Sequence, residues 1–248
     1  MNNVSFLIWH SACVTHVGKV RKVNQDACLD LAELGLWVVA DGMGGHDAGE
    51  IASRMIVEQC QNINEPLDLN SFIADVEHRL IEVNQGLRVM SGQKFNNATI
   101  GSTVVALLIH NKQCAYLWVG DSRIYRLRNN QLQQMTRDHS MVEKYVADGV
   151  MSFEEANNSN MANALTRAVG GEDTLDVEVK LDEIQNGDIF LLCSDGLYRE
   201  VSENKMLEIM SSGSDSITMT NNLLTNALNN TAKDNVTVSV IQIKEAYL

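Results

Sequence analysis

The stretch TVVALLIHNKQCAYLWVGDSRIYRLRNNQLQQM, residues 103–135, decides the fold class. It contains three apolar or β-branched runs, which are separated by Asn111-Lys112 and by Gly120-Asp121, and a further short polar turn, Asn129-Asn130, follows the third run. Runs joined by such short turns predict consecutive antiparallel strands, because parallel strands need a long crossover connection. The stretch therefore predicts an antiparallel meander and argues against a βαβ fold.

The segments on either side extend this interpretation. Further apolar runs predict strands at 6–14, 36–40, 189–193 and 236–243. Apolar residues at helical spacing predict helices at 48–62, 70–89, 202–210 and 214–229. Two helices, then strands, then two helices and a last strand suit antiparallel sheet layers covered by helices. The irregular segment 140–163 is predicted to be a partly helical surface excursion, and such excursions are often functional.

Composition limits the class of protein. The chain has 248 residues, 45% of them hydrophobic, and a single proline, Pro66, so we expect one domain over 1–248 with a sizeable core. Its formal net charge of -13 excludes a general electrostatic attraction to nucleic acid or to an anionic membrane. A ligand that carries phosphate would need a local source of positive charge.

The apolar runs also bear on location. The longest, 104–109, is too short to span a bilayer, and no Lys or Arg precedes the N-terminal run at 6–9 as a signal peptide would require. Five cysteines without a C-x-x-C pair predict reduced thiols and neither a disulfide framework nor a thiolate zinc site. We therefore expect a cytoplasmic protein.

Four aspartates recur at the ends of predicted strands: Asp41, Asp121, Asp195 and Asp234. Each of them taken singly is explained by ordinary turn chemistry, since Asp-Gly and Asp-Asn are common turn residues. Their recurrence suggests that one sheet edge projects several carboxylates into a cleft. Oxygen ligands without paired cysteines favour Mg²⁺ or Mn²⁺, and such ions would attract phosphate and promote phosphoester hydrolysis.

Two neighbouring segments could complete such a site. The glycine-rich stretch at 41–50 lacks the spacing of dinucleotide-binding or P-loop motifs. Two interpretations of it are left: the Gly42 carbonyl is a metal ligand, or the glycines only form a tight connection. Arg21 could grip a phosphate with its planar fork, although three basic residues in four positions also suit a solvated turn. Asp26 could join the acidic cleft. The six histidines show no metal-ligand spacing.

Eight segments, in order along nearly the whole chain, resemble motifs of the metal-dependent serine/threonine protein phosphatases of the type 2C class, in their compact bacterial form. They are RKVNQD at 21–26, VADGMGG at 39–45, GST at 101–103, GDSRIY at 120–125, TRDHS at 136–140, LTRAVG at 165–170, CSDGL at 193–197 and DNVT at 234–237. The resemblance implies an α+β fold, a four-layer α/β/β/α sandwich of two antiparallel sheets flanked by helix pairs.

The resemblance also implies a binuclear Mn²⁺ or Mg²⁺ centre. Asp41 would bridge two ions, the Gly42 carbonyl would bind one of them, and Asp195 and Asp234 would complete the set. Asp121, together with Asp195, matches a third, weaker metal position.

Further roles follow from the same resemblance. Arg21 matches the arginine that holds the substrate phosphate, and Asp26 matches an outer-shell acid. Arg21 and Asp41 are thus the expected catalytic residues. A metal-activated water would hydrolyse phosphoserine or phosphothreonine without a covalent phosphoenzyme, and 140–163 corresponds to a flap that helps to select substrates. The expected partners are phosphorylated proteins, targets of a cytosolic serine/threonine kinase in signalling, with no nucleic acid and no membrane span.

The sequence departs from the family pattern at three places. Gln25 replaces a frequent glutamate, and Met43 stands where eukaryotic members have a histidine thought to protonate the leaving group, with His46 as the substitute to consider. Ser159-Asn160 lies where many bacterial relatives have His-Pro. Two other functions remain open from the sequence: a phosphoprotein-binding module without turnover, and a hydrolase of small phosphate esters.

Overall fold

The computed structural model describes residues 5–45, 48–94, 99–152, 155, 159, 161 and 164–247. The strands within these residues are β1 Ser5–His16, β2 Asp26–Leu31, β3 Leu36–Gly44, β4 Ile100–Ser102, β5 Val104–His110, β6 Gln113–Val119, β7 Arg123–Arg128, β8 Gln131–Gln134, β9 Glu178–Glu183, β10 Ile189–Cys193 and β11 Val236–Tyr247. The helices are α1 Ala48–Gln61, α2 Leu69–Lys94, α3 Met141–Ala147, α4 Asp195–Tyr198, α5 Glu203–Met210 and α6 Ser216–Asn229. No helix in this part of the chain is long and apolar enough to cross a membrane.

The strands form two antiparallel sheets. The first has the order β1-β11-β10-β7-β8. The second has the order β2-β3-β5-β6-β9, with β4 paired to β3. The turn between β7 and β8 has positive φ angles at both Asn129 and Asn130, as a tight hairpin turn of the right twist requires. The predicted antiparallel meander is therefore confirmed.

The strands of the second sheet show why it is covered on both faces. On β3, Trp37 and Val39 point to a core shared with the first sheet, whereas Leu36, Val38 and Ala40 point to the opposite core. Successive side chains of a strand alternate between faces, so a continuously apolar strand must be buried on both sides. Burial of β3 on both faces therefore explains why the run at 36–40 is apolar at every position.

Helices complete the outer layers. Apolar residues of α1 and α2, such as Ile56 and Leu80, pack on the outer face of the second sheet. Residues of α5 and α6, such as Met206 and Leu223, pack on the outer face of the first sheet. The layers therefore run helices, sheet, sheet, helices, which confirms the predicted α/β/β/α sandwich.

Some strands were not predicted from the sequence, among them β2 and β9. β2 carries aspartates at Asp26 and Asp30 within an otherwise apolar run, and β9, with the sequence EVKLDE, is mostly exposed at the edge of its sheet. The segment 140–163 begins with α3, whose N-cap Ser140 accepts a hydrogen bond from the Glu143 backbone N–H. The predicted partial helix is therefore present.

Candidate active site

The predicted site residues meet at one edge of the two sheets. Asp41, near the end of β3, is the direct cross-strand partner of Asp26 at the start of β2. Asp195 follows β10 and Asp234 precedes β11, while Asp121 lies in the turn between β6 and β7. Because these strands are antiparallel neighbours, the end of one lies beside the start of the next. Strand ends that are distant in sequence therefore converge.

Asp26 links the two sheets beneath this edge. It lies on β2 of the second sheet and is only 7% exposed. One of its carboxylate oxygens accepts hydrogen bonds of 2.7 Å from the hydroxyls of Ser194, which follows β10, and Thr237, which lies on β11 of the first sheet. A buried carboxylate that accepts two hydrogen bonds is held in one orientation. Asp26 is therefore a fixed acid behind the other carboxylates.

The backbone around Asp41 is equally constrained. The Asp41 carbonyl accepts hydrogen bonds from the Thr103 backbone N–H at 2.8 Å and the Ser102 hydroxyl at 2.9 Å. Next to it, a Cβ on Gly42 would lie 1.9 Å from the Gly49 carbonyl oxygen, so no larger residue fits there. The first turn of α1 thus packs directly on the Asp41-Gly42 backbone.

Arg21 stands at the exposed side of the cluster. Its Nε and Nη2 atoms donate to the two carboxylate oxygens of Asp234 at 2.9 and 2.7 Å, and its side chain remains 53% exposed. Asn235 fixes the loop that carries Arg21, because its side-chain amide donates to the carbonyls of Val17 and Val23 and its side-chain oxygen accepts from the Gln25 backbone N–H at 2.8 Å. The loop and Asp234 are therefore held together.

A second arginine, Arg199, also contacts the cluster. Nη2 of Arg199 lies 3.0 Å from Asp195 Oδ2 and 3.5 Å from Asp121 Oδ2. The Tyr198 hydroxyl donates to the Asp121 carbonyl at 3.2 Å, and the Arg123 guanidinium stacks 3.7 Å over the Tyr198 ring. Asp121 and Asp195 are thus tied to each other through Arg199.

The carboxylates of the cluster raise one another's pKa. Burial, then the charges of Asp195 and Asp234, raise the pKa of Asp26 to about 7 against the opposing hydrogen bonds. Burial, then chiefly the charge of Asp195, raises the pKa of Asp121 to about 7. Burial, then the charge of Asp26, raises the pKa of Asp41 well above its ordinary value. Like charges gathered out of water have this effect, and a cation placed among them would relieve it.

The donor set suits hard divalent ions, since the converging side chains offer carboxylate oxygens. As they stand, no three Asp, Glu, His or Cys side chains in the described ranges are arranged to hold a metal ion. These side chains have other partners: Arg21 donates to both oxygens of Asp234, Arg199 pairs with Asp195, and Ser194 and Thr237 donate to Asp26. Binding of ions at Asp234 would require the Arg21 pair to open.

The structure thus brings all the predicted aspartates and Arg21 to one edge. Sequence reasoning missed Arg199 and Tyr198, although Arg199 lies four residues after Asp195, a spacing that predicts contact at a helical turn. Gln25 contributes through its backbone, because its carbonyl accepts from the Gly42 N–H at 3.0 Å, which a change of its side chain does not alter. His46 lies outside the described residues.

Two other departures from the family pattern have different outcomes. Met43 lies on β3 opposite Gly101, where a thioether offers no proton to a leaving group. In the Ser159-Asn160 pair, Ser159 accepts a hydrogen bond from the Met161 backbone N–H, and Asn160 lies outside the described residues. His139 has a structural contact, since its Nδ1 accepts from the Gly120 backbone N–H at 3.1 Å.

Comparisons with known proteins agree with this geometry. The family model described as Protein phosphatase 2C matches residues 16–232. The serine/threonine phosphatase stp of Listeria monocytogenes serotype 4b is 32% identical over 240 residues, which cover 94% of this chain and 95% of that protein. The structure of PppA, a key regulatory component of T6SS in Pseudomonas aeruginosa, is 38% identical with a TM-score of 0.88 and covers 97% of this chain and 100% of its own.

A third comparison concerns metal. The crystal structure of the catalytic domain of the serine/threonine phosphatase PstP in complex with two manganese ions is 29% identical with a TM-score of 0.86, and the match covers 96% of this chain and 99% of that one. The family, the fold and the enzyme class predicted from the sequence, a serine/threonine protein phosphatase, are confirmed. With its motifs in order and its aspartates at one sheet edge, this chain belongs to the protein phosphatase 2C family.

Proposed function

We propose that this edge is a centre for two divalent ions, Mn²⁺ or Mg²⁺, at which phosphoserine and phosphothreonine in proteins are hydrolysed. In this proposal Asp41 serves both ions, and the Gly42 carbonyl, Asp195 and Asp234 are the remaining ligands. The observation that carries the proposal is the convergence of carboxylates that raise one another's pKa, with Asp41 at the centre of the cluster. Such an arrangement is costly without cations and favourable with them.

The bound ions and Asp26 have different roles in the proposed reaction. Bound divalent ions would supply positive charge to the phosphate and make a water molecule more acidic. Asp26 is rigidly held between the sheets, so it can orient a water molecule at the inner side of the cluster. The attacking oxygen comes from water, so no bond forms between the protein and phosphorus.

Arg21 is the proposed phosphate-binding residue. Its planar guanidinium group donates two parallel hydrogen bonds to the two carboxylate oxygens of Asp234. Arginine binds phosphate with the same bidentate geometry. The side chain is half exposed at the mouth of the cluster, where a protein substrate can reach it. It can therefore place a phosphate group next to the ligands and stabilise its oxygens during the reaction.

The substrates and setting follow from this assignment. We propose phosphorylated proteins as substrates, in particular the targets of a cytosolic serine/threonine kinase, and a cytoplasmic signalling role. We also propose that residues 1–248 act as one catalytic domain, with 140–163 as its flap. Phosphoproteomics of cells lacking the protein tests this proposal: sites that gain phosphate should be serine and threonine in cytosolic proteins.

The activity itself is tested on a phosphothreonine peptide. We expect release of phosphate with Mn²⁺ and none after chelation, and we expect a higher kcat/KM for the peptide than for free phosphorylated metabolites. No metal-dependent release would contradict the proposal. Metal-independent binding of the peptide without turnover would instead favour a phosphoprotein-binding module, and preference for the metabolites would favour a hydrolase of small esters.

Replacement of Arg21 separates binding from chemistry. We expect Arg21→Ala to act chiefly on KM, with an increase of roughly 10- to 100-fold, because a charge-assisted pair to phosphate is lost. Steady-state kinetics on the phosphothreonine peptide measure this effect. Lys22→Ala, which removes a neighbouring charge on the same loop, is the matched control and should change KM little. A loss in kcat alone would mean that Arg21 does not bind the phosphate.

A further inference from the structure

Arg199 occupies the place between two of the carboxylates. Its backbone N–H donates to the Asp195 carbonyl at 3.1 Å, so its position relative to Asp195 is set by the short helix α4. From there Nη2 lies 3.0 Å from Asp195 Oδ2 and 3.5 Å from Asp121 Oδ2. A single guanidinium nitrogen therefore contacts one carboxylate oxygen of each of the two aspartates that the family resemblance assigns to a third metal position.

The surroundings hold Asp121 beside Arg199. Tyr198, the preceding residue, donates its hydroxyl to the Asp121 carbonyl at 3.2 Å. Its ring is in turn fixed by the Arg123 guanidinium, which forms a bidentate pair with Asp138 at 2.8 to 3.2 Å. Asp121 is therefore held against α4, and its side chain is only 10% exposed. The carboxylate has little freedom to turn away from Arg199.

A metal ion and this guanidinium compete for the same place, next to the Oδ2 atoms of Asp121 and Asp195. Mg²⁺ sits about 2.1 Å from its oxygen ligands, so an ion shared by Asp121 and Asp195 would nearly contact Nη2 of Arg199. The charges of the ion and the guanidinium would repel each other in a partly desolvated site. Arginine stays protonated at every physiological pH, so its charge is permanent. The pair of carboxylates is already neutralised in part without a third ion.

We infer that Arg199 is a built-in cation that takes the place of a third metal ion between Asp121 and Asp195. This inference rests on the proposed two-ion centre and adds to it: the protein binds two ions only, at the ligands around Asp41. Arg199 is a positioning residue, which keeps Asp121 and Asp195 together whatever the metal concentration. Metal activation should then follow the filling of the two-ion centre, without a later weak phase.

Counting bound ions tests the inference. The chelator-treated protein is dialysed against Mn²⁺, and bound metal is measured by mass spectrometry and by electron paramagnetic resonance. We expect the parent to bind two ions, Arg199→Gln to bind a third weakly, and Arg199→Lys, which keeps the charge, to remain at two. Arg54→Gln, which breaks an equally spaced ion pair with Glu50 on α1, is the matched control and should also remain at two.

Other outcomes have distinct meanings. A parent that binds three ions, or an Arg199→Gln variant that folds and stops at two, overturns the role of Arg199 and leaves the two-ion centre standing. A parent that binds no Mn²⁺ overturns the proposed function and the inference together. If Arg199→Gln does not fold, anomalous diffraction of parent crystals grown with Mn²⁺ decides: we expect two metal peaks, and a third between Asp121 and Asp195 would refute the inference.

Discussion

Asp41→Asn should reduce turnover of a phosphothreonine peptide on the order of 1000-fold or more, because the carboxylate that we propose as the ligand of both ions loses its charge. The exchange keeps the shape of the side chain, and the hydrogen bonds that hold this part of β3 involve the Asp41 backbone. The fold should therefore survive while metal binding fails. Kinetics and the manganese content of the purified variant measure the two effects together.

A surface aspartate provides the control for this exchange. Asp173 pairs with Arg88 and its side chain is 87% exposed. Asp173→Asn therefore removes one negative charge from a residue that is not among the proposed metal ligands. This variant should keep the activity and the manganese of the parent. If Asp41→Asn also kept both, the carboxylate cluster would not be the metal centre and the enzyme's chemistry would have to lie elsewhere.

Exchange of Asp26 or Asp121 to asparagine should reduce turnover less than exchange of Asp41. Asp26 orients rather than ligates in the proposed scheme, and outer-shell residues of metal sites typically contribute about 10- to 100-fold. Asp121 is paired with Arg199 and lies outside the proposed two-ion set. Its exchange to asparagine should therefore leave the two ions in place. The order of these effects separates ligands from supporting residues.

The fold could be predicted where the hydrophobic pattern was strong. The runs at 36–40, 103–109 and 189–193 are apolar because both faces of their strands are covered, and each became a strand of the sandwich. β9 could not be predicted, because an exposed edge strand needs no apolar side chains and leaves no periodic signal. The packing of one sheet on the other entered only through the resemblance to a family.

The candidate site, too, could be predicted only in part from the sequence. The strand-end aspartates were visible because turn residues next to buried strands mark a sheet edge, and antiparallel pairing then brings them together. The hydrogen bonds of Ser194 and Thr237 to Asp26 were not visible, since their separations of 168 and 211 residues exceed any local pattern. The contact of Arg199 with Asp121 is equally a product of the fold. Local spacing therefore identifies the ligands, and tertiary structure decides what holds them.

The gathered acids also predict how the metal-free protein responds to pH. Burial, then neighbouring charges, raise the pKa of Asp26 to about 7, whereas an unfolded chain restores its ordinary value of 3.8. Between these values the folded state binds more protons than the unfolded state, so stability falls as pH rises. The stabilising effect of protonation is fully present below about pH 4 and is lost as pH passes through about 7.

The metal-free protein should therefore become easier to unfold between about pH 5 and pH 7.5, by roughly 2 to 3 kcal/mol for one such carboxyl, which is a substantial part of the stability of an ordinary domain. Urea unfolding across this range measures the slope. The slope should be shallower in Asp26→Asn and unchanged in Asp68→Asn, because hydrogen bonds from Ser71 lower the pKa of Asp68 and keep it out of this range. Saturating Mn²⁺ should restore most of the loss at pH 7.5, since ions bind the folded cluster. Stability that rises with pH, or Mn²⁺ that stabilises no more at pH 7.5 than at pH 5, would show that these carboxylates are not held together in the folded protein.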